Sequence, residues 1–190
     1  MNYLRTIILF FVIVLFAAKL PAQLIAYSGG LTFSSGVDYN NGTTGNPGLF
    51  GKAYLKVNKR FQVVPSIAVF NTYKKSVLSA NSNLKTFMFQ ADVDGVFSLF
   101  KDKSLRFMGF TGLNTTYLVS KWDVPTKIPS LIDKSDLQPG LNLGGAFQLY
   151  VNDRFDGYIS AKYILGSFGQ VVINVGAIYY LGGMHRRGLW

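Results

Sequence analysis

The sequence predicts an all-β fold: an eight-stranded antiparallel up-and-down transmembrane β-barrel that follows a cleaved signal peptide. Three observations predict it. The chain is poor in helix formers, with no Glu and with 20 Gly, 16 Phe and 11 Tyr among its 190 residues, a composition that favours strands and turns. Eight segments alternate apolar and polar residues with the period of a strand. Short and long connections alternate between most of these segments.

The composition also excludes several classes of protein. The chain is 49% hydrophobic, which is too much for a disordered protein. After Ala18, however, no apolar run approaches the roughly 20 residues that a membrane-spanning helix needs. There is no Cys, and the single His, His185, leaves no basis for a Ser-His-Asp triad or a multi-His metal site. We therefore expect a protein that is not an enzyme, without a metal site or a cofactor.

The first 22 residues have the pattern of a secretory signal peptide. A basic start at 1–5 is followed by an apolar stretch at 6–18, which Lys19 and Pro21 end at about half the length of a bilayer-spanning helix. We predict cleavage after Ala22. The mature chain then consists of one barrel domain, 23–181, and a basic C-terminal tail, 182–190.

The predicted strands show their two faces most clearly near residues 138–151. There Leu143 and Phe147 lie on a face suited to lipid, and Asn142 and Gln148 lie on a face that tolerates water. We predict strands near 24–33, 48–57, 61–71, 84–97, 105–119, 138–151, 155–165 and 170–181.

The connections separate into two kinds. Short polar turns are predicted at 58–60, 101–104 and 152–154, and longer connections at 34–47, 72–83 and 120–137, with a further short one at 166–169. Short turns on one rim and longer loops on the other are typical of an outer-membrane barrel, whose short turns face the periplasm. Both termini would then lie on the short-turn side.

Aromatic residues fall near the predicted strand ends, as in barrels whose amphipathic rings lie at the two membrane interfaces. A soluble β-barrel with scattered aromatics remains the alternative. The group expected toward the short turns is Phe61, Phe97, Phe100, Phe147, Tyr150, Phe155, Tyr179 and Tyr180, and the group toward the loops is Phe33, Phe70, Tyr73, Tyr117 and Trp122.

On these features the chain resembles the small eight-stranded outer-membrane β-barrel proteins, the OmpA-like transmembrane barrel superfamily, including the barrels of this size in Bacteroidota. The resemblance covers residues 23 to about 181 and rests on architecture. It implies a bacterial outer-membrane location, with outer-membrane lipid around the barrel. Such barrels commonly end in an aromatic residue that closes the last strand, whereas here a further segment, 181–190, follows Tyr180 and ends in Trp190.

The polar faces define a candidate charge network in the lumen. An eight-stranded barrel is only wide enough for its side chains to fill it, and buried charges are tolerated when they are paired. We therefore expect a paired network that closes the lumen, with a narrow conduit as the alternative. Its predicted members are Lys52, Lys56, Asp92, Asp94, Arg106, Asp156 and Lys162.

The longest predicted loop, 120–137, is a candidate interaction site. Two prolines stiffen it, and its apolar residues Trp122, Ile128, Leu131 and Ile132 have no reason to be exposed in a solvated loop. The loop either covers the barrel mouth as a lid or docks on a protein partner. Lysines of the loop at 72–83 and beside it are either a solvated face or a contact for lipopolysaccharide phosphates.

Taken together, these features predict a non-enzymatic outer-membrane barrel with a structural or interaction role, such as an accessory subunit of an outer-membrane assembly. The alternatives are a small solute pore and a soluble secreted barrel of the lipocalin type. Nucleic acid is not an expected partner, because the protein is exported and its basic residues are not gathered into one patch.

Overall fold

The computed structural model describes residues 23–35, 46–77, 82–102, 104–123, 134–167 and 169–181. The predicted signal peptide, the basic tail and much of the predicted loops lie outside these ranges. For residues 73–77, 82–84, 122–123 and 134 the description covers the backbone only. The part of the chain that is described contains no helix long and apolar enough to cross a membrane.

Eight antiparallel strands close into one barrel in which each strand pairs with its neighbours in sequence, and the last strand pairs with the first. The closing seam runs from the pair Ala26 and Tyr180 to the pair Ser34 and Val172. This confirms the predicted up-and-down topology, and closure gives every strand a neighbour on both sides within the wall. The strands are β1 (Gln23–Ser34), β2 (Asn46–Lys56), β3 (Phe61–Val77), β4 (Ser82–Lys101), β5 (Leu105–Asp123), β6 (Lys134–Tyr150), β7 (Phe155–Gly166) and β8 (Gln170–Tyr180).

The central strands extend further toward the loop end of the barrel than the sequence predicts. β3 continues to Val77, and the β3–β4 ladder reaches the pair Val77 and Ser82. Most of the loop expected at 72–83 is therefore an extension of the β3–β4 ladder, and the end of β5 pairs with β4 beside it. β5 and β6 lengthen in the same way, to Asp123 and from Lys134. The alternation of apolar and polar residues that predicts the other strand segments is weak in the sequence of these extensions.

Two of the short turns share one local construction. In the β2–β3 turn the side-chain oxygen of Asn58 accepts hydrogen bonds from the backbone N–H groups of Arg60 and Phe61, each at 2.9 Å. In the β6–β7 turn Asn152 does the same for Arg154 and Phe155, again at 2.9 Å. An Asn side chain that mimics a backbone turn holds the reversal in place without help from the rest of the barrel.

The two faces of the wall differ in polarity as the alternation predicts. Leu143 is 60% exposed on the outer surface, whereas its neighbour Asn142 is 1% exposed in the interior. Apolar side chains cover the outside and many polar ones fill the inside. A soluble lipocalin-type barrel has the opposite arrangement, so the structure excludes that alternative.

Two of the predicted girdle aromatics point the other way. Phe70 and Tyr180 are 1% and 3% exposed, and both lie inside the barrel. Phe70 continues the inward series of β3, and Tyr180 that of β8, so strand register and not proximity to a strand end decides where they point. Other members of the group near the short turns, including Phe97, Phe155 and Tyr179, are on the outer surface.

Candidate functional site

The lumen of the barrel is filled with polar and charged side chains, and Asp92 is at the centre of their hydrogen bonds. Asp92 lies on β4 and is 4% exposed. One of its oxygens, Oδ2, accepts hydrogen bonds from Lys162 Nζ on β7 at 2.7 Å and from Ser66 Oγ on β3 at 3.1 Å. The other, Oδ1, accepts from Asn114 on β5 at 2.6 Å and from Asn142 on β6 at 2.9 Å. One carboxylate therefore connects five neighbouring strands through the interior.

The Asn142 amide joins a second carboxylate to this centre. Its Nδ2 lies 2.7 Å from Asp94 Oδ1 as well as 2.9 Å from Asp92 Oδ1. Lys162 and Asp92 form the charged pair, with both side chains almost fully buried. Charge-assisted hydrogen bonds of this kind are stronger than neutral ones, so the pair and its amide donors fix the position of the side chains that close the lumen.

A chain of neutral hydrogen bonds runs from this centre to the loop end of the barrel. Thr116 Oγ1 donates to Asn114 Oδ1 at 2.9 Å, and Gln170 Nε2 lies 3.5 Å from Thr116 Oγ1. Ser34 Oγ then donates to Gln170 Oε1 at 2.8 Å, where β1 ends and β8 begins. These residues hold opposite parts of the wall together near the mouth of the barrel.

Lys52 is held in the lumen mainly by aromatic rings. Its ammonium nitrogen is 5.4 Å from the ring centroid of Phe50, 5.9 Å from that of Phe110 and 5.1 Å from that of Tyr158. It also donates a hydrogen bond to the Tyr158 hydroxyl at 3.0 Å. Cation–π attraction is strongest where water is excluded, and Lys52 is 8% exposed. The ammonium group thus fills the space between three strands.

The short-turn end of the lumen is closed by a further polar cluster. Arg106 on β5 donates from Nε to Ser98 Oγ at 3.0 Å and stands directly opposite Gln148 on β6. The Gln148 amide donates to the Asp156 carboxylate and to the Tyr180 hydroxyl. Inward residues of β5, β6, β7 and β8 therefore meet at this end.

The structure places the predicted network residues as follows. Lys52, Asp92, Asp94, Arg106, Asp156 and Lys162 are all buried in the interior. Lys56 is only half-buried, because it is the last residue of β2 and lies at the short-turn rim. Ser66, Asn114 and Asn142, which are not among the predicted network residues, supply three of the four hydrogen bonds to Asp92. Their inward strand positions were the one available signal.

Two small cavities lie among the described lumen side chains. One cavity near the mouth, beside Thr116 and Gln170, measures about 10 Å³, and a second, beside Lys52 and Tyr158, also measures about 10 Å³. Each has room for about one water molecule. Within the described ranges, no group of three or more His, Cys, Asp or Glu side chains is arranged to hold a metal ion.

The predicted loop site lies largely outside the described residues. This is the case for Ile128, Leu131 and Ile132, and for His185 in the tail. For Trp122 the backbone alone is described, and it pairs with Leu84 at the end of the β4–β5 ladder.

Lysines line up across three strands at the loop end. The register pairs Lys74 of β3 with Lys85 of β4, and Lys85 with Lys121 of β5. Residues directly opposite one another share a face of the sheet. The Lys121 side chain is exposed and that of Lys85 is half-exposed. The register therefore gathers three positively charged residues in one row.

The closed eight-stranded topology, the apolar outer surface and the polar filled lumen together define a small outer-membrane-type β-barrel. Solved structures show the same fold. One is neisserial surface protein A, with a TM-score of 0.62 and 10% sequence identity over 84% of this chain and 99% of that one. Another is Ail, the attachment invasion locus protein of Yersinia pestis, with a TM-score of 0.59 and 16% sequence identity over 83% of this chain and 97% of that one. A third is the N-terminal β-barrel domain of Pseudomonas aeruginosa OprF, with a TM-score of 0.57 and 12% sequence identity over 84% of this chain and 99% of that one.

These similarities concern the fold. No protein-family model and no curated protein sequence matches the chain. The fold and the outer-membrane class thus agree with the resemblance drawn from the sequence, and the activity has to be argued from the residues themselves.

Proposed function

We propose that this protein spans the bacterial outer membrane as a non-enzymatic barrel with a closed lumen, and that its role is structural or interactive. The observation that carries the proposal is the Asp92 centre, where one carboxylate accepts four hydrogen bonds from four other strands. These bonds hold the interior shut and stiffen the wall. They leave the rims of the barrel as the surfaces that contact other molecules.

A solute pore is the weaker candidate. Conduction needs a continuous water-filled path, whereas Lys52, Lys162 and Arg106 all lie in the interior with their charged ends engaged. The two cavities that lie among the described lumen side chains are each the size of about one water molecule.

Planar-bilayer recording tests the closed lumen. Purified wild-type protein is expected to show no stable conductance steps. A variant with Lys52→Ala and Lys162→Ala removes two long side chains from the interior, and it should conduct where the wild type does not. Stable, reproducible steps from the wild-type protein would instead assign it to the pore class.

The row at Lys74, Lys85 and Lys121 supports a contact with an anionic glycolipid at the loop end. If the short turns face the periplasm, these lysines stand at the outer leaflet, whose lipopolysaccharide carries phosphates. Like charges directly opposite one another in a sheet repel, and a phosphate bound beside them would offset part of that repulsion. Ail has been solved with the heparin analogue sucrose octasulfate, a polyanion, which supports anion binding on this fold.

Stabilisation by added lipopolysaccharide tests this contact. In heat-modifiable gel assays, lipopolysaccharide is expected to raise the melting temperature of the wild-type barrel. The rise should shrink in Lys85→Gln/Lys121→Gln and persist in Arg154→Gln, which changes a basic residue at the opposite rim. Equal rises in all three proteins would argue against the lysine row.

The loop at 120–137 completes the proposal as the site for a protein partner. Its support is the apolar content of the sequence around Pro125 and Pro129, with Trp122, Ile128, Leu131 and Ile132, since exposed apolar clusters mark interaction sites. A partner bound there would make the barrel an accessory subunit of a larger outer-membrane assembly.

A further inference from the structure

The outer surface of the barrel has a groove of about 420 Å³ over strands β1 to β4. Small outward residues, Gly51, Ala53 and Ala91, form part of its floor, and Tyr27 and Ile67 stand at its sides. A volume of this size is within the range of small-molecule sites, about 300–1,000 Å³. The groove is continuous with the apolar surface that faces the membrane.

Pro65 lies in the floor of the groove and interrupts the ladder beneath it. The β2–β3 register pairs Lys52 with Ser66 and resumes only at Leu55 and Val63. Pro65 has no N–H with which to bond β2 at the position between them. A proline in the interior of a sheet is uncommon. At this place the β2–β3 ladder lacks a backbone hydrogen bond, and the outward side chains around it are small.

The groove lies on the membrane side of the rim formed by the short turns. Ala53 is about 14 Å along β2 from the start of the β2–β3 turn, at roughly 3.4 Å per residue. Between groove and rim, the rings of Phe61 and Phe97 pack at a tilt of 38°, with centroids 4.8 Å apart. Aromatic residues of this kind mark the interface between hydrocarbon and headgroups, so the groove opens into the hydrocarbon layer.

The rim directly below the groove is positively charged. The β2–β3 turn contains Lys59 and Arg60, both exposed, and no acidic residue. By contrast, the β6–β7 turn has Asp153 beside Arg154, and the β4–β5 turn contains Asp102. Of these three short turns, the β2–β3 turn beneath the groove is therefore the one that has basic residues and no acidic residue.

We propose that this groove and the β2–β3 turn together bind one anionic phospholipid. An acyl chain lies in the groove against Gly51, Ala53 and Pro65, and the phosphate contacts Lys59 and Arg60. The inference rests on the proposed insertion of the barrel in a membrane. It adds a single lipid, bound in the leaflet at the short-turn end, at a site distinct from the lysine row at the loop end.

Photo-crosslinking in vesicles tests the site. The full chain is reconstituted in phosphatidylcholine vesicles with a small fraction of phosphatidylglycerol that carries a diazirine on one acyl chain, and labelled peptides are mapped by mass spectrometry. Labelling is expected to concentrate at Tyr27 and Ile67 over the equally outward Ile173 and Val175. The same diazirine on phosphatidylcholine should label the groove less, because it lacks the net negative charge.

Two pairs of variants separate the parts of the site. A side chain added at Gly51 meets no atom within 4 Å, whereas one at Gly157, also outward, makes ordinary contacts with Leu149 at 3.7 Å. Gly51→Leu therefore fills the groove and should reduce its labelling to that of Ile173, while Gly157→Leu should label as wild type. Lys59→Gln/Arg60→Gln should abolish the preference for phosphatidylglycerol, and Arg154→Gln should preserve it.

Flotation with the vesicles and heat-modified mobility show separately whether each variant is inserted and folded. If Gly51→Leu does not fold, Ala91→Leu narrows the groove from β4 and takes its place. Labelling spread evenly around the barrel, or unchanged by filling the groove, overturns the proposal. Equal labelling by phosphatidylglycerol and phosphatidylcholine also overturns it. A dimer crosslinked at Ile67 does so too, because the groove would then bind a second copy of this protein. A barrel that does not float with vesicles contradicts membrane insertion itself.

Discussion

Lys162 of β7 and Asp92 of β4 meet in the middle of the barrel, with Nζ and Oδ2 2.7 Å apart, although two strands separate them around the wall. Breaking a buried ion pair by removing one partner costs about 3–5 kcal/mol, because the other charge is left unpaired. Replacing both partners with apolar residues of similar size costs much less.

We therefore expect Asp92→Leu to lower the free energy of unfolding by about 3–5 kcal/mol. Asp92→Leu combined with Lys162→Met should recover part of that loss, although Ser66, Asn114 and Asn142 would still lack an acceptor. Urea unfolding of the barrel in lipid vesicles, followed by heat-modified mobility, measures both. A double variant no more stable than Asp92→Leu would show that the pair is not coupled.

The hydrogen bond between Lys52 and Tyr158 gives a second prediction. A hydrogen bond to a charged group contributes about 1.5–3 kcal/mol, and Tyr158→Phe removes the acceptor while keeping the ring beside the ammonium. We expect a loss of that size in the wild-type background and a smaller one when Lys52 is already Met. The free energies of unfolding of the wild type, Tyr158→Phe, Lys52→Met and the double variant measure the coupling between the two residues. Equal losses in the two backgrounds would contradict the hydrogen bond.

The lipid-facing assignment predicts a dependence on depth along β6. Leu143→Arg places a charge inside the apolar belt and should cost about 2–4 kcal/mol, whereas Val151→Arg, just beyond the same strand at the rim, should cost about 0–1 kcal/mol. Both side chains are exposed in the wild type, so neither change disturbs the lumen. Comparable losses at the two positions would mean that the belt does not face hydrocarbon.

The proposed partner site in the loop is tested by replacing Ile128, Leu131 and Ile132 with Ser. The barrel should remain folded and heat-modifiable, because these residues lie outside the described strands, and proteins that co-purify from native membranes in mild detergent should be lost. Retention of every partner would leave the lid interpretation and direct the search to the basic tail at 182–190.

The number of strands and the inward or outward position of most residues were predictable from the sequence, because side chains alternate strictly along a strand. Gln148 and Asp156 are inside and Leu143 and Phe147 outside, as predicted. Phe70 and Tyr180 differ from the prediction because this alternation, and not proximity to a strand end, decides that they point inward. Lys56 belongs to the same inward series, but it lies too near the rim to be enclosed.

The partners inside the lumen were not predictable to the same degree. Alternation predicts that the side chains of Asp92, Asn114 and Lys162 all point into the lumen. It does not predict that they lie at the same level along the barrel axis. Height depends on the stagger between neighbouring strands around the whole barrel, which is set by the pairings of all eight strands together. The groove beside Gly51 depends likewise on four strands, and no local pattern in the sequence indicates it.

The matching turns at Asn58 and Asn152 imply an order of assembly. Each turn needs only residues within its own hairpin, so the β2–β3 and β6–β7 hairpins are able to form early. The β1–β8 seam instead joins segments from opposite ends of the barrel domain. Its formation therefore has the largest entropic cost of loop closure. Docking of β8 onto β1 is then the step that completes insertion. A chain cut before β8 would retain both hairpins but leave the edges of β1 and β7 open in hydrocarbon, where each unpaired backbone group costs several kcal/mol.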